Sequence, residues 1–210
     1  MKRLFILLFV VPLSYVSWAQ VTKEDKGKYW FVSANLAGSV FYGNEETDRG
    51  FSKSPFKGFR NNLGISLAVG NWFSPEIALR TKINGFWGKN LISEDAETNA
   101  MRYFVLNEQV MLDLTNIIGG YNPNRKYHLI PFFGGGLGRN LTYNRWATNL
   151  SVGIQNQFRL TDRLFLNAEL GLTLHTYEFS GQNYNRTYRH TLENEDRQYL
   201  LEVGLTYKFK

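Results

Sequence analysis

Residues 149–160 read NLSVGIQNQFRL, and residues 164–177 read LFLNAELGLTLHTY. In both stretches the even-numbered positions are almost all apolar, whereas most odd-numbered positions are polar or small. Such alternation with period two predicts β-strands with one apolar and one polar face. Strands of soluble sandwiches average about five or six residues. These run to about eleven or more, which is the length that crosses a bilayer at a tilt.

The same pattern recurs along the chain and predicts eight strands. Their approximate ranges are 30–42, 62–73, 76–88, 102–114, 127–141, 149–160, 164–177 and 199–209. The predicted fold class is all-β, a transmembrane antiparallel up-and-down β-barrel with an apolar outside and a polar inside. Ten strands remain an alternative if a long loop contains a further hairpin.

The connections alternate in length, which predicts the orientation of the barrel. Turns at 71–75 and 161–163 are short, and the connection 115–126 lies on the same side. The segments on the other side are 43–61, 89–101, 142–148 and 178–198. Since outer-membrane barrels have short periplasmic turns and longer extracellular loops, both termini are expected in the periplasm of a bacterial cell.

The N-terminus has the features of a secretion signal. Lys2 and Arg3 precede the apolar run 4–13, and Ser17 and Ala19 are the small residues of a cleavage site. The apolar run is too short for a permanent membrane helix. We expect residues 1–19 to be a cleaved signal peptide, 20–29 a periplasmic segment and 30–210 the outer-membrane barrel.

Composition excludes several classes of protein. The chain has no cysteine, so a disulfide scaffold, a thiolate metal site and a cysteine nucleophile are excluded. The formal charge is +6, but the basic residues are scattered among acidic ones, which argues against a nucleic-acid partner. Basic residues in loops are better placed to contact anionic lipid or lipopolysaccharide.

Aromatic residues cluster near the ends of the predicted strands, where amphipathic rings favour a membrane interface. The predicted girdles include Phe86 and Tyr103 at the outer rim and Phe165 at the periplasmic rim. Their principal members are Trp30, Trp72, Trp87, Trp146, Tyr207 and Phe209.

Charged and amide side chains on the polar faces predict a cluster inside the barrel. Arg80, Gln109, Glu169 and Glu202 fall at comparable heights, and Lys82 is close by. Because an eight-stranded barrel is just wide enough for its side chains, this cluster is expected to fill the lumen. A gate is the alternative interpretation. On the fourth strand Glu108 falls on the lipid side, which indicates either a register shift there or a contact with a neighbouring protein.

An enzyme that modifies lipid A is a less favoured hypothesis. The chain has three histidines. Two of them, His175 near the outer rim and His190 in the last loop, have carboxylates close in sequence, but none has a serine at strand spacing. The sequence contains no cofactor signature and only a weak cation candidate around His190. We therefore expect a protein that is not an enzyme and binds no cofactor or metal.

Longer motifs carry a family resemblance. VMLDLTN at 110–116, GGYN at 119–122 and IPFFGGGLGRN at 130–140 resemble the N-terminal membrane barrel of OmpA-type, porin-like proteins of the Bacteroidota. GNWFSPEIALR at 70–80 resembles the second hairpin of that family, and GLTYKF at 204–209 resembles its last strand.

The resemblance implies a charged plug inside the barrel, with Arg80 against Glu169 or Glu202. It also implies that the barrel-assembly machinery reads the C-terminal strand. Family members continue into a peptidoglycan-binding domain, whereas this sequence stops at Lys210, so cell-wall tethering is not expected. The expected role is structural, with surface interaction through loops 43–61 and 178–198 that bind an extracellular ligand or an outer-membrane protein partner. A narrow gated pore for small solutes is the alternative.

Overall fold

The computed structural model describes residues 27–42, 61–91, 98–176, 179 and 196–209. Its eight antiparallel strands pair in sequence order and close into a barrel. They are β1 (Tyr29–Tyr42), β2 (Asn61–Trp72), β3 (Ile77–Leu91), β4 (Thr98–Leu112), β5 (Tyr127–Asn140), β6 (Arg145–Arg159), β7 (Leu164–His175) and β8 (Asp196–Phe209). The predicted fold is confirmed. Because β1 pairs directly with β8, the closed sheet has no place for a ninth or tenth strand.

The alternation in sequence determines which side of the wall each residue occupies. On β6, Leu150 and Val152 are 66% and 51% exposed on the outside, whereas Ser151 and Gln155 between and beyond them are buried inside. The same phase holds on β8, where Leu201 is exposed and Glu202 is buried. The outer surface is therefore an apolar band, and the polar residues face the lumen.

The strands extend further at the outer end than the sequence predicted. β3 and β4 are each 15 residues long and stay paired up to Leu91 and Thr98, so most of the predicted loop 89–101 is strand. Likewise β6 already begins at Arg145, inside the predicted loop 142–148. Backbone hydrogen bonds between paired strands do not depend on apolar side chains, so the pairing continues beyond the apolar positions from which the strands were predicted. Of the predicted loops 43–61 and 178–198, residue 61 belongs to β2 and residues 196–198 belong to β8, whereas 43–60 and nearly all of 178–195 lie outside the described residues.

A short helix replaces the end of the predicted fourth strand. β4 ends at Leu112, and α1 (Leu114–Gly119) follows it at the periplasmic end. Asp113 is the N-cap, and its Oδ1 accepts a hydrogen bond from the Asn116 backbone N at 3.1 Å. Gly120 ends the helix with φ 68°, a conformation that favours glycine. No helix within the described ranges has the length and apolar character needed to cross a membrane.

Buried side chains fill the lumen in three layers. An apolar cluster lies at the periplasmic end and a second lies at the outer end. The periplasmic cluster consists of Phe31, Trp72, Ala78, Met111, Ile130 and Phe132. The outer cluster consists of Ala37, Phe86, Tyr103, Val105, Ala147, Phe179 and Leu200. The charged residues lie between these two layers.

Candidate functional site

Four charged side chains form the centre of the polar layer, which we call the lumen cluster. Arg80 and Lys82 come from β3, Glu169 from β7 and Glu202 from β8. Each lies on the polar face of its strand, and all four are at most 3% exposed. Together with Gln109 they are the residues that the sequence placed in the lumen, and the structure brings all five together.

Arg80 makes the largest number of described contacts in the cluster. Its Nη1 donates to Glu169 Oε2 at 2.8 Å and to Gln155 Oε1 at 3.1 Å. Its Nε and Nη2 both donate to Gln109 Oε1, at 2.9 and 2.5 Å. Four strands, β3, β4, β6 and β7, are therefore tied together through one guanidinium, whose planar set of donors suits several acceptors at once.

Lys82 joins the two carboxylates. Its Nζ lies 2.5 Å from Glu169 Oε1 and 2.8 Å from Glu202 Oε1. Glu202 also accepts hydrogen bonds at Oε2 from Asn35 Nδ2 at 3.0 Å and from Ser66 Oγ at 2.7 Å. These contacts extend the network to β1, β2 and β8, so seven of the eight strands contribute to it.

The lumen cluster is balanced in charge, with two cations and two carboxylates. A buried charge without a partner costs several kcal/mol, and a buried pair offsets that cost only with good geometry and additional hydrogen bonds. Here Glu169 contacts both cations, and Glu202 combines one cation with neutral donors. Removing any one charged member leaves an uncompensated charge in the lumen.

The periplasmic cluster packs directly beneath the charges. The Arg80 guanidinium lies over the Phe132 ring at 4.8 Å from its centroid, a cation–π contact. The Phe132 ring occupies space that Gly153 leaves open, since a Cβ on Gly153 would come within 2.4 Å of Phe132 Cζ. Gly153, the cross-strand partner of Phe132 on the adjacent β6, thus makes room for the aromatic layer.

The outer cluster is organised around the Tyr103 hydroxyl. Ser39 Oγ lies 2.8 Å from that hydroxyl, and Gln198 Nε2 donates to it at 2.9 Å. The Tyr103 ring stacks on Phe86 at 5.0 Å and meets Phe179 edge-on at 5.5 Å between centroids. The outer layer is therefore polar where it faces the lumen cluster and aromatic above it.

Phe179, from the connection between β7 and β8, folds into the barrel and is fully buried. Its ring stacks on His175 at 4.3 Å, and its carbonyl accepts a hydrogen bond from Asn140 Nδ2 at 2.8 Å. Gly138 provides the space, because a Cβ there would lie 2.8 Å from the Phe179 ring. A residue that the sequence assigned to no site thus closes the outer end.

The aromatic prediction was wrong for four residues. Trp72 is 3% exposed and belongs to the periplasmic cluster, Phe165 is 7% exposed, and Phe86 and Tyr103 are buried in the outer cluster. The reason is phase: on β2 the odd-numbered Leu67 and Val69 face outward, so the even-numbered Trp72 faces inward. The remaining predicted girdle residues lie on outward positions. They are Trp30, which is half-buried, and the exposed Trp87, Trp146, Tyr207 and Phe209.

Glu108 faces the membrane in an unbroken register, so the predicted register shift is wrong. Its neighbours Asn107 and Gln109 are buried, and Glu108 pairs across the strands with Thr81 and Gly135. Thr81 Oγ1 donates to Glu108 Oε1 at 2.5 Å. Gly135 contributes no side chain beside the carboxylate, and a Cβ there would already lie 3.4 Å from Leu150 Cδ2.

The periplasmic end of the barrel holds a second polar pair. His128 Nδ1 donates to Asp113 Oδ2 at 2.6 Å, and both line a small cleft of about 40 Å³ together with Arg159 and Lys208. Burial alone would raise the pKa of Asp113. The hydrogen bonds from His128, Thr115 and the Asn116 backbone outweigh burial and hold the pKa below its ordinary value of 3.8.

The histidines that motivated the enzyme hypothesis have structural contacts. His175 Nε2 lies 2.9 Å from Gln198 Oε1, inside the outer cluster, and His128 pairs with Asp113. His190 lies outside the described residues. Within the described part of the chain, no three His, Asp or Glu side chains form a group that could hold a metal ion.

Comparison with known proteins gives relatives from the bacterial outer membrane. The chain is 26% identical over 163 residues to outer membrane protein 41 of Porphyromonas gingivalis, covering 73% of this chain and 39% of that protein. It is also 26% identical over 162 residues to outer membrane protein 40 of the same organism, covering 70% of this chain and 40% of that protein. The chain thus spans about two-fifths of the length of these relatives. No family model matches the chain.

Solved structures share the fold. The attachment invasion locus protein Ail of Yersinia pestis, in complex with the heparin analogue sucrose octasulfate, aligns with a TM-score of 0.52 at 14% identity, covering 88% of this chain and 99% of that one. Neisserial surface protein A aligns with a TM-score of 0.52 at 11% identity, covering 87% and 99%. A major outer membrane protein of Thermus thermophilus aligns with a TM-score of 0.52 at 14% identity, covering 85% and 99%.

The relatives and the barrel agree on location and class. The relatives are named as outer membrane proteins of a Bacteroidota species, and the eight-stranded sheet carries an apolar band on its outside. The chain is an outer-membrane β-barrel protein, and its outer face contacts membrane lipid.

Proposed function

We propose that this outer-membrane barrel has a structural and surface-interaction role and that its lumen does not conduct at rest. The observation that carries the proposal is the three-layer filling of the lumen. The lumen cluster is hydrogen-bonded to seven strands and lies between two apolar clusters. An ion entering from either side would first have to displace buried aromatic rings and then compete for charges that are already paired.

The test is the conductance of the purified, refolded full chain in a planar bilayer. We expect no steady channels from the natural sequence and none from Arg80→Ala, because Phe132 and Phe179 still block both ends. Steady channels in the natural protein that change with Arg80→Ala would instead establish the alternative, a narrow gated pore for small solutes with the lumen cluster as its gate. A folded-state gel shift on each sample would confirm that a silent bilayer contains folded protein.

The proposal includes the absence of catalysis. The contacts of His128 and His175 with Asp113 and Gln198 support a structural role for both. Lipid A from cells with and without the protein should give the same mass spectrum. A mass difference that disappears in a His175→Gln variant would replace the proposal with a lipid-A-modifying activity.

Processing and assembly belong to the same proposal. We propose that residues 1–19 are removed as a signal peptide and that residues 20–29 precede a barrel formed by residues 30–210. The barrel-assembly machinery would engage β8, whose outward residues Tyr199, Leu205 and Phe209 are apolar. The basic loop residues Lys53, Lys57, Arg60, Arg186, Arg189 and Arg197 are the proposed contacts for lipopolysaccharide or an extracellular ligand. All of them except Arg197 lie outside the described residues.

A second proposed function is contact with another outer-membrane protein through the Glu108 face. Glu108 has a single described donor, Thr81, within a band that includes the exposed Leu106 and Ile83. A carboxyl in that position is unfavourable against lipid and favourable against a donor on a neighbouring protein. Gly135, which pairs with Glu108 across the strands, has no side chain that could donate to the carboxylate.

A photo-crosslinking amino acid at position 106 tests this contact in native membranes. We expect a discrete adduct from position 106 and its loss in the Glu108→Gln background. The matched control is the same amino acid at Leu170, which is also exposed and lies on β7. Equal adducts from both positions, or none from position 106, would contradict the contact.

A further inference from the structure

The helix α1 has one face hydrogen-bonded to the barrel and one apolar face with exposed side chains. Asp113 and Asn116 form the tied face: Asn116 Nδ2 donates to Pro75 O at 2.8 Å and to Asp113 Oδ2 at 2.8 Å. Both residues are buried, and Asp113 also bonds His128. The helix is therefore held in one orientation at the periplasmic rim.

The opposite face of α1 is apolar and exposed. Leu114, Ile117 and Ile118 are spaced i, i+3 and i+4, so they lie on one side of the helix. Ile117 is 50% exposed and Ile118 is 83% exposed, the largest exposed fraction among the described large apolar side chains. The sequence of α1, LTNIIG, contains no charged residue. Such a face is unfavourable in water.

This apolar face continues the lipid-facing surface of the barrel. Leu114, which is half-buried, begins α1 two residues after Leu112 ends β4, directly below the apolar band. Phe73 and Ile77, at the neighbouring periplasmic turn, are 40% and 46% exposed on the outside. The Arg125 guanidinium donates to the carbonyls of Gly119 and Gly120, which places a cation at the C-terminal end of α1.

We propose that α1 is an interfacial anchor whose Leu114, Ile117 and Ile118 side chains insert among the lipids of the periplasmic leaflet. Short amphipathic helices lie in the interface plane with the apolar face about 5–10 Å into the boundary between headgroups and acyl chains. The anchor fixes how deep the barrel sits, because the polar face of α1 is bonded to the β2–β3 turn and to β5.

The test uses the absence of cysteine in the natural chain. The full protein is labelled with a nitroxide at Ile118→Cys and folded into phosphatidylethanolamine–phosphatidylglycerol vesicles. We expect the label to collide more often with oxygen, which concentrates in lipid, than with a water-soluble nickel chelate. At the control position Asp162→Cys, on the β6–β7 turn and 89% exposed, we expect the reverse order.

A second label at Ile117→Cys reads the same face and should give the same order as position 118. If both labels on α1 match position 162, the helix lies in periplasmic water and the proposal is wrong. Each chain carries a single label, so spectral broadening from the label on another chain would show contact between two copies. That result would also overturn the proposal. Each sample is first checked for the folded-state gel shift, so that only inserted barrels are compared.

Discussion

Two neighbouring cross-strand pairs on β3 and β4 place similar side chains on opposite sides of one wall. Arg80 faces Gln109 on the lumen side, and Thr81 faces Glu108 on the lipid side. Inside, the Arg80 guanidinium reaches Glu169, a carboxylate that also contacts Lys82. Outside, the Glu108 carboxylate has one described donor, the Thr81 hydroxyl.

The difference shows that a charged side chain is tolerated where it has enough hydrogen-bond and ion-pair partners, whether or not the surroundings are polar. The lumen concentrates charges because each has partners from several strands, so the pairs and hydrogen bonds offset the cost of burial. The outer wall offers only side chains from adjacent strands, because no second layer of protein covers it. A carboxyl there therefore marks a place where stability of the isolated barrel is reduced.

Removing the Arg80 charge should have the largest effect. In Arg80→Met, Glu169 keeps only Lys82, and the lumen carries an excess negative charge. We expect the free energy of unfolding to fall by about 3–5 kcal/mol, measured by reversible urea unfolding from lipid vesicles.

The double variant Arg80→Met/Glu169→Gln sharpens this prediction. It restores charge balance, since the Lys82–Glu202 pair at 2.8 Å remains. The double variant should be more stable than Arg80→Met alone. If the loss of unfolding free energy in the double variant equals the sum of the losses in Arg80→Met and Glu169→Gln measured singly, the cluster does not act as a charge-balanced unit.

Asp113 lies at the boundary between these two regions and should have an intermediate, pH-dependent effect. Its pKa is lowered in the folded state, so its ionised form stabilises the fold. That stability is fully present above the ordinary value of 3.8 and is lost as pH falls through the lower folded pKa. Asp113→Asn keeps a capping acceptor but loses the charge, so we expect a loss of about 1 kcal/mol at pH 7.

The loss caused by Asp113→Asn should shrink as pH falls below about 4, because the unfolded carboxyl is protonated first and the folded carboxyl follows at its lower pKa. Unfolding midpoints at pH 7 and pH 3 measure the change. A loss that is independent of pH would mean that the carboxylate charge contributes nothing and that only the geometry of the cap matters.

Replacing Glu108 should have the smallest effect and the opposite sign. In the isolated protein Glu108→Leu removes a poorly satisfied carboxyl from the lipid face, so we expect a gain of up to about 1 kcal/mol. The control is Glu108→Gln, which keeps the hydrogen bond with Thr81 and should lie between the two. A loss of stability in Glu108→Leu would show that the Thr81 contact is worth more than the exposure to lipid costs.

The sequence predicted the strands and the members of the lumen cluster because both follow from period-two alternation. Arg80, Glu169 and Glu202 each fall on the polar face of a long strand. The alternation along each strand is enough to place these side chains inside the barrel. The sequence does not predict which carboxylate pairs with which cation, because Lys82 reaches Glu202 only through the stagger of β3 relative to β8. Alternation along one strand contains no information about that stagger.

Two further features had local signals that a search for strands passes over. Asp113 followed by Gly119 and Gly120 is a capping pattern for a short helix. The alternation of apolar and polar residues over 102–114 instead predicts a strand that includes Asp113. The phase of β2 already assigned Trp72 to the inside. The burial of Phe179 has no such signal, because it depends on the space above Gly138 on a distant strand.

The seam between β1 and β8 connects the charge network to the order of events in folding. Ser33 and Thr206, 173 residues apart in sequence, meet across it at 2.8 Å, and Asn35 reaches Glu202 there. Ends so distant along the chain are costly to bring together early, so we expect β1 and β8 to pair last. Until then the lumen charges stay hydrated, since Glu202 cannot yet meet its β1 donor. We therefore expect the interior to lose its water when β1 pairs with β8, and the open sheet to keep a hydrated, charged face until then.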